Sequence, residues 1–133
     1  MRFMLDTNTC VDLFRNRNDR VLRRMRRRKP EDLCISSITL SELEYGAAKS
    51  ANPAKNRLAL AEFMTPLSVM PYDDTVAPVY GRVRAELERA GEPIGPLDTM
   101  IAAHALALEL TVVTDDEQEF IRVNGLKVQN WAR

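Results

Sequence analysis

Four short apolar runs, Phe3-Met4-Leu5, Leu33-Cys34-Ile35, Leu67-Ser68-Val69-Met70 and Thr111-Val112-Val113-Thr114, recur along the chain, and each is parted from the next by sequence with helical patterning. Runs of three or four residues flanked by polar and turn-forming residues read as strands rather than helices. Strands separated by helix-length segments join through crossovers, so they predict a parallel sheet covered by helices on both faces, with right-handed connections. The reading in detail is a strand over Arg2 to Leu5, a helix over Thr7 to Phe14, a break at Asn16 and Asn18, and a basic helix from Arg20 to Lys29 ended by Pro30. After the second strand come helices over Thr39 to Ser50 and, past the stop at Asn52-Pro53, Ala54 to Met64. After the third, a long helix capped by Asp73 or Asp74 runs to Ala90 and closes at Gly91. A Gly- and Pro-rich loop from Gly91 to Pro96 leads into a very apolar helix over Leu97 to Glu109. Past the fourth strand, Glu117 to Ile121 forms a short helical turn and Lys127-Val128-Gln129 an edge strand. The fold class is α/β, a three-layer α/β/α arrangement with a central, mostly parallel sheet.

At 133 residues the chain predicts a single domain, 1–133, large enough for one proper core. No apolar stretch approaches the roughly 20 residues of a membrane helix, and Asp6 interrupts any signal-like run at once. Cys10 and Cys34 lie inside apolar segments without metal-ligand spacing. Both read as reduced core thiols, which places the protein in the cytoplasm.

The formal net charge of zero conceals an asymmetry. Arg15, Arg17, Arg20, Arg23, Arg24, Arg26, Arg27, Arg28 and Lys29 account for nine of 19 basic residues, with only Asp19 opposing them. The remainder carries 10 basic and 18 acidic residues, a balance of −8. A cationic segment on an acidic body suggests a polyanionic partner. The arginines also fit the solvated face of a helix whose apolar stripe is Val21, Leu22 and Met25.

Acidic residues fall where a parallel sheet gathers its ligands, beyond the carboxyl ends of the strands. Asp6 ends the first apolar run, Asp116 follows the last, and Glu42 and Asp98 lie near the starts of two helices. Two carboxylates 4 Å apart repel by roughly 4 kcal/mol at an effective dielectric of about 20, so such a cluster requires a cation or bound protons. Oxygen ligands point to Mg²⁺ or Mn²⁺. Each acid also has a plain structural reading. Asp6 and Asp98 fit helix N-caps, Asp115-Asp116-Glu117 fits a charged turn, and Glu42 lies roughly opposite the stripe of Leu40, Leu43 and Ala47, so periodicity does not separate it from Glu44. Spacing alone leaves the ligand set open.

The local motifs are more specific. Leu5-Asp6-Thr7-Asn8, Ser41-Glu42-Leu43-Glu44-Tyr45-Gly46, Pro96-Leu97-Asp98-Thr99-Met100-Ile101-Ala102-Ala103-His104-Ala105 and Val112-Val113-Thr114-Asp115-Asp116 occur in that order. The series resembles PIN-domain ribonucleases, in particular the VapC toxins of bacterial VapBC toxin–antitoxin pairs, over essentially the whole chain. The resemblance implies a PIN-like domain and a Mg²⁺- or Mn²⁺-dependent endoribonuclease. By position it implies Asp6, Glu42, Asp98 and Asp116 as catalytic and metal-binding carboxylates, with Asp115 competing for the fourth place and Thr114 and Asn8 in support. It further implies RNA as substrate, with tRNA and the anticodon region of initiator tRNA suggested, and consequent inhibition of translation. The partners the resemblance implies are a cognate VapB antitoxin that enters or covers the acidic pocket, a second copy in a homodimer, and operator DNA through the antitoxin alone.

Hydrolysis of a phosphodiester fits such a site, because a divalent ion activates water and neutralises phosphate charge without a histidine base. His104 is the sole histidine and lies on the most apolar helix, so it reads as a core residue. Ser36, Ser37 and Ser41 have no triad partners, the glycines form no phosphate loop, and Trp131 reads as a packing anchor. Arg23, Arg24, Arg26, Arg27 and Arg28 are assigned to RNA binding, since guanidinium groups bind phosphate bidentately, with contact to an acidic antitoxin as the competing role. Arg82 and Arg84 fit either substrate contact or surface ion pairs. Two other readings stay open at this point: a non-catalytic RNA-binding module, and a DNA-directed metal nuclease, because a carboxylate–metal centre does not read the sugar hydroxyl.

Overall fold

The computed structural model describes residues 1–15 and 19–133. The break expected at Asn16 and Asn18 lies outside the described residues. The strands are β1 (Phe3–Leu5), β2 (Leu33–Ser36), β3 (Ser68–Met70), β4 (Thr111–Val113) and β5 (Val128–Gln129), and the helices are α1 (Thr7–Phe14), α2 (Asp19–Arg26), α3 (Ser37–Ala48), α4 (Pro53–Met64), α5 (Ala77–Arg89), α6 (Pro96–Ala107) and α7 (Glu117–Phe120). All five strands join in one sheet of order β3-β2-β1-β4-β5, and every neighbouring pair is parallel. The predicted edge strand is β5.

Alternation along the strands builds two cores. Phe3, Leu5, Leu33, Ile35 and Val113 point to one face, where α1 to α4 pack with Leu13, Leu43 and Leu60. Met4, Cys34 and Val112 point to the other, against Val83 and Leu87 of α5 and Ile101, Ala102 and Ala105 of α6. Successive strand residues face opposite sides of a sheet, so three-residue strands suffice to tie the layers together. Burial pushes the Cys34 thiol up to about 12 and raises that of Cys10 well above its ordinary range. Both cysteines are free and buried, as expected of inert core thiols.

His104 is a core residue. It is 1% exposed, its Nδ1 lies 2.9 Å from Ser36 Oγ, and Tyr72 meets its ring edge-on at 5.4 Å. Burial lowers its pKa, which keeps it neutral. Trp131 is also an anchor. It is 1% exposed, packs edge-to-face on Phe3 at 5.1 Å, and donates Nε1–H to Gln129 Oε1 at 2.9 Å.

The helices α3, α4, α6 and α7 differ from expectation by one or two residues at an end, and two others differ in how they stop or start. The basic helix stops at Arg26, and Pro30 opens a single 3₁₀ turn, Pro30–Asp32, instead of ending the α-helix. The long helix starts at Ala77, with Pro78 in its first turn and no side-chain cap. Asp73 does not cap it, because its carboxylate is taken by the backbone N–H of Thr75 at 3.0 Å. Such local side-chain turns compete with helix formation, and proline is favoured in the opening turn. Gly91 closes α5 as predicted, at φ +69°, with Glu92 N–H donating to Leu87 O at 3.0 Å. No helix among the described residues is long and apolar enough to cross a membrane.

Candidate active site

The chain runs outward from β1 through β2 to β3, then returns to the other side of β1 for β4 and β5. The carboxyl ends of β1 and β4 therefore flank the switch point, where open parallel sheets bind ligands. Asp6 is the first residue past β1 and Thr114 the first past β4. Asp6 is 1% exposed. Its Oδ1 accepts from the backbone N–H of Thr9 at 2.9 Å, capping α1, and its Oδ2 accepts from the Thr114 hydroxyl at 2.6 Å. The Thr114 oxygen in turn accepts from the backbone N–H of Asp116 at 2.9 Å. Asp6 is thus both helix cap and floor of the site. Burial outweighs these hydrogen bonds and raises its pKa to about 6.

Asp98, in the first turn of α6, is half-buried. Burial first, then the nearby charges of Glu119, Asp6 and Glu42, push its pKa to about 7. These four carboxylates belong to one electrostatic cluster. Glu119 was not foreseen from the sequence. Its Oε1 accepts from the backbone N–H of Gly95 at 2.7 Å. Gly95 lies against both acids, because a Cβ there would stand 3.5 Å from Glu119 Oε1 and 3.6 Å from Asp98 Oδ2. The sequence did hold one signal, an Asp116-x-x-Glu119 pattern of the capping-box type. Asp116 does take the N–H of Glu119, at 3.3 Å, but the Glu119 side chain turns to Gly95.

Structure separates Glu42 from Glu44. Glu42 is half-buried and its Oε1 accepts from the Thr7 hydroxyl at 2.7 Å, while Glu44 is exposed. Thr7 Oγ1 also lies 3.2 Å from Thr39 Oγ1, so a chain of hydroxyls aims Glu42 toward the start of α1. Asp116 is the N-cap of α7. Asp115 is exposed at the margin, raised by partial burial and by Asp12. Asn8 is exposed on the opening turn of α1.

The donor set suits a hard dication, since it is all oxygen and its charges repel one another. Among the described residues no three of these carboxylates stand close enough for a ready-made metal cage. An ion held by them would keep several water ligands, as Mg²⁺ prefers.

The arginines divide. Arg23, Arg24 and Arg27, with Arg20 and Arg133, line one open groove of about 280 Å³, whereas Arg26 and Arg28 do not. Arg28 stacks over Phe3 at 4.8 Å and over Trp131 at 5.7 Å. Arg82 and Arg84 make surface pairs, with Glu86 at 3.5 Å and Glu88 at 3.3 Å.

A layered parallel sheet carrying convergent carboxylates at its switch point defines a class of α/β domains with an acidic centre, and comparison with known proteins gives the family. The PIN domain family matches residues 3–126. A tRNA(fMet)-specific endonuclease VapC of Salmonella typhimurium is 44% identical over 132 residues, 99% of each chain. The protein of the same name from Shigella flexneri is 42% identical over the same share. Among solved structures, DNA-bound VapBC from Salmonella typhimurium superposes with a TM-score of 0.93 at 44% identity, covering 98% of each chain. VapBC2 from Rickettsia felis bound to a promoter DNA fragment gives 0.92 at 35% identity, covering 98% of this chain and 99% of that one. The chain belongs to the PIN-domain family, in its VapC branch.

Proposed function

We propose that this chain is the endoribonuclease toxin of a VapBC pair, cutting initiator tRNA to arrest translation. One observation carries the reading: Asp6, Glu42, Asp98 and Glu119 form a single electrostatic cluster at the switch point. The names of relatives that match 99% of the chain support the substrate. Asp6 and Asp98 are the proposed principal metal ligands, with Glu42 and Glu119 completing the acidic wall and Asp116 fixing the turn that carries Glu119. Bound Mg²⁺ or Mn²⁺ supplies activated water and neutralises charge on the phosphate. The Thr114 and Thr9 bonds hold Asp6 in one rotamer, and Thr7 does the same for Glu42, so little reorganisation is needed when the ion and RNA arrive.

The proposed antitoxin contact is the groove between α1, α3 and α4. It has a volume of about 250 Å³, is lined by Val11, Phe14, Leu43, Ala47 and Leu60, and has Glu42 at its edge. A segment seated there reaches the acidic centre, consistent with relatives crystallised as VapBC complexes. A homodimer, and operator DNA bound through the antitoxin, belong to the same proposal.

The test is cleavage of an initiator tRNA transcript and of DNA of the same sequence, in Mg²⁺ and in EDTA, with the 5′ ends mapped. The expected result is one or a few RNA cuts that need the ion. Cleavage of the DNA alone indicates a DNA-directed nuclease. RNA binding without any cut indicates a non-catalytic module. Full activity in EDTA refutes the metal mechanism.

A further inference from the structure

The arginine groove has no place in the chemistry described above, yet its construction is specific. Arg20, Arg23 and Arg24 share one face of α2, and Arg27, in the turn that follows the helix, keeps the i+7 spacing. At about 100° per residue they span a sector turned away from Val21, Leu22 and Met25, which pack into the core. Arg133 comes from the far end of the sequence to complete the lining, its guanidinium held by Glu117 at 2.8 Å. Among the described residues no carboxylate lies within ion-pair distance of Arg23, Arg24 or Arg27.

Like charges at i, i+3 and i+4 repel and destabilise a helix. The chain keeps these charges together and also stiffens the site. Arg24 stacks over the indole of Trp131 at 5.6 Å, and that ring is itself clamped against Phe3. Arg28 stacks on the same two rings from beside the groove. A guanidinium fixed on an aromatic face has less freedom to lose when it meets an anion. Trp131 and Val21 also line the cleft that holds Thr9 and Thr114, the two residues bonded to or beside Asp6. Trp131, on which Arg24 stacks, thus packs between the groove and the two threonines that bond to Asp6.

We propose that Arg20, Arg23, Arg24, Arg27 and Arg133 form a phosphate-backbone clamp for RNA, a second contact that holds the substrate while the acidic centre cuts it. It rests on the nuclease reading for the identity of the strand, and on the groove alone for the contact. The clamp reads phosphates and not bases, so it contributes affinity and register and leaves the choice of cut to the acidic site.

The test measures binding of the initiator tRNA transcript to full-length Asp98→Asn protein, with and without Arg20→Gln, Arg23→Gln and Arg27→Gln together. Arg24 is left in place because it packs on Trp131. The expected result is at least a tenfold rise in Kd near 100 mM salt, and a log–log salt slope flatter by about 2, at about 0.7 per phosphate contact for single-stranded segments. In the cleaving protein the same three changes raise KM with kcat nearly unchanged. A variant with the same loss of charge elsewhere, Lys55→Gln, Arg57→Gln and Arg89→Gln, stays within about twofold of the parent, which separates a local clamp from net charge. An unchanged Kd and slope in the groove variant overturn the clamp, as does an equal loss in the control. So does loss of binding to an acidic antitoxin segment with RNA affinity intact. Failure of the wild-type protein to cut RNA refutes the nuclease reading instead, and the binding measurement still decides the clamp.

Discussion

Replacing Asp6 by asparagine is expected to stabilise the metal-free protein while removing its activity. Asp6 is almost fully buried and its pKa is raised from 3.8 to about 6, chiefly by desolvation. A group whose folded-state pKa is raised contributes stability that is present below the unfolded value and is lost as pH rises through the folded one. At pH 8 the wild type therefore carries a penalty of about 3 kcal/mol at this site. The asparagine side chain carries no charge and escapes it, but it cannot accept from both Thr9 N–H and the Thr114 hydroxyl with two carboxylate oxygens, which costs about 1 kcal/mol. The net gain is about 2 kcal/mol, on the order of 8 °C in Tm for a chain of this size. Removing Asp6 also relieves Asp98, because Asp6 is among the charges that raise it. The assay is urea unfolding of both proteins in EDTA across pH 4 to 8. The variant is the more stable at pH 8, the difference shrinks between pH 7 and 4, and the order reverses near pH 4, where the wild-type carboxyl is protonated. Adding Mg²⁺ at pH 8 stabilises only the wild type. A variant less stable at pH 8, or a difference independent of pH, refutes the reasoning and makes Asp6 a structural cap only.

Glu42→Gln is expected to reduce cleavage at least 100-fold and Glu44→Gln less than threefold, measured as single-turnover rates; the reverse ranking means the wrong face of α3 was assigned. Glu119→Gln is expected to impair cleavage more than Asp116→Asn, with the Asp116 change also lowering stability by about 1 kcal/mol as a lost cap; unfolding curves measured beside the rates separate the two effects. Ca²⁺ is expected to bind and support little turnover, because its longer and looser coordination misplaces the attacking water; a Ca²⁺ rate equal to the Mg²⁺ rate contradicts this. Trp131→Ala is expected to cost about 3–5 kcal/mol, read as a lower urea midpoint, since it empties the space between Phe3 and the stacked arginines.

The fold was largely legible because each strand carries its own local signal and the helices between strands leave only parallel pairing. Asp6 and Asp98 were legible for the same reason, one at a strand end and the other opening a helix after a Gly-Pro turn. Glu42 was harder. The buried side of α3 is centred on Thr39, Leu43 and Ala47, all buried, and a stripe drawn through Leu40 omits the polar Thr39. Including Thr39 places Glu42 and Glu44 equally far from the centre of the buried face, on opposite sides, so what separates them is the packing of α1, whose Thr7 reaches Glu42. Glu119 was not legible as a site residue, because its partner is the backbone N–H of Gly95, 24 residues earlier, and no spacing rule records such a contact. The late start of α5 came from competition between a side-chain turn at Asp73 and a helix cap, two outcomes that use the same residue types. The cationic segment was legible as a block. Its division into a groove-lining face and a stacked pair depends on Trp131, more than 100 residues away in the chain.

The proposed role of the acidic cluster meets its most direct test in Mn²⁺ titration of the wild type and of Asp98→Asn, followed on the same samples by cleavage of initiator tRNA. The predicted result is saturable Mn²⁺ binding and RNA cleavage that rise together in the wild type, with both lost in a variant that remains folded. A folded Asp98→Asn protein that cuts the RNA at the wild-type rate contradicts it.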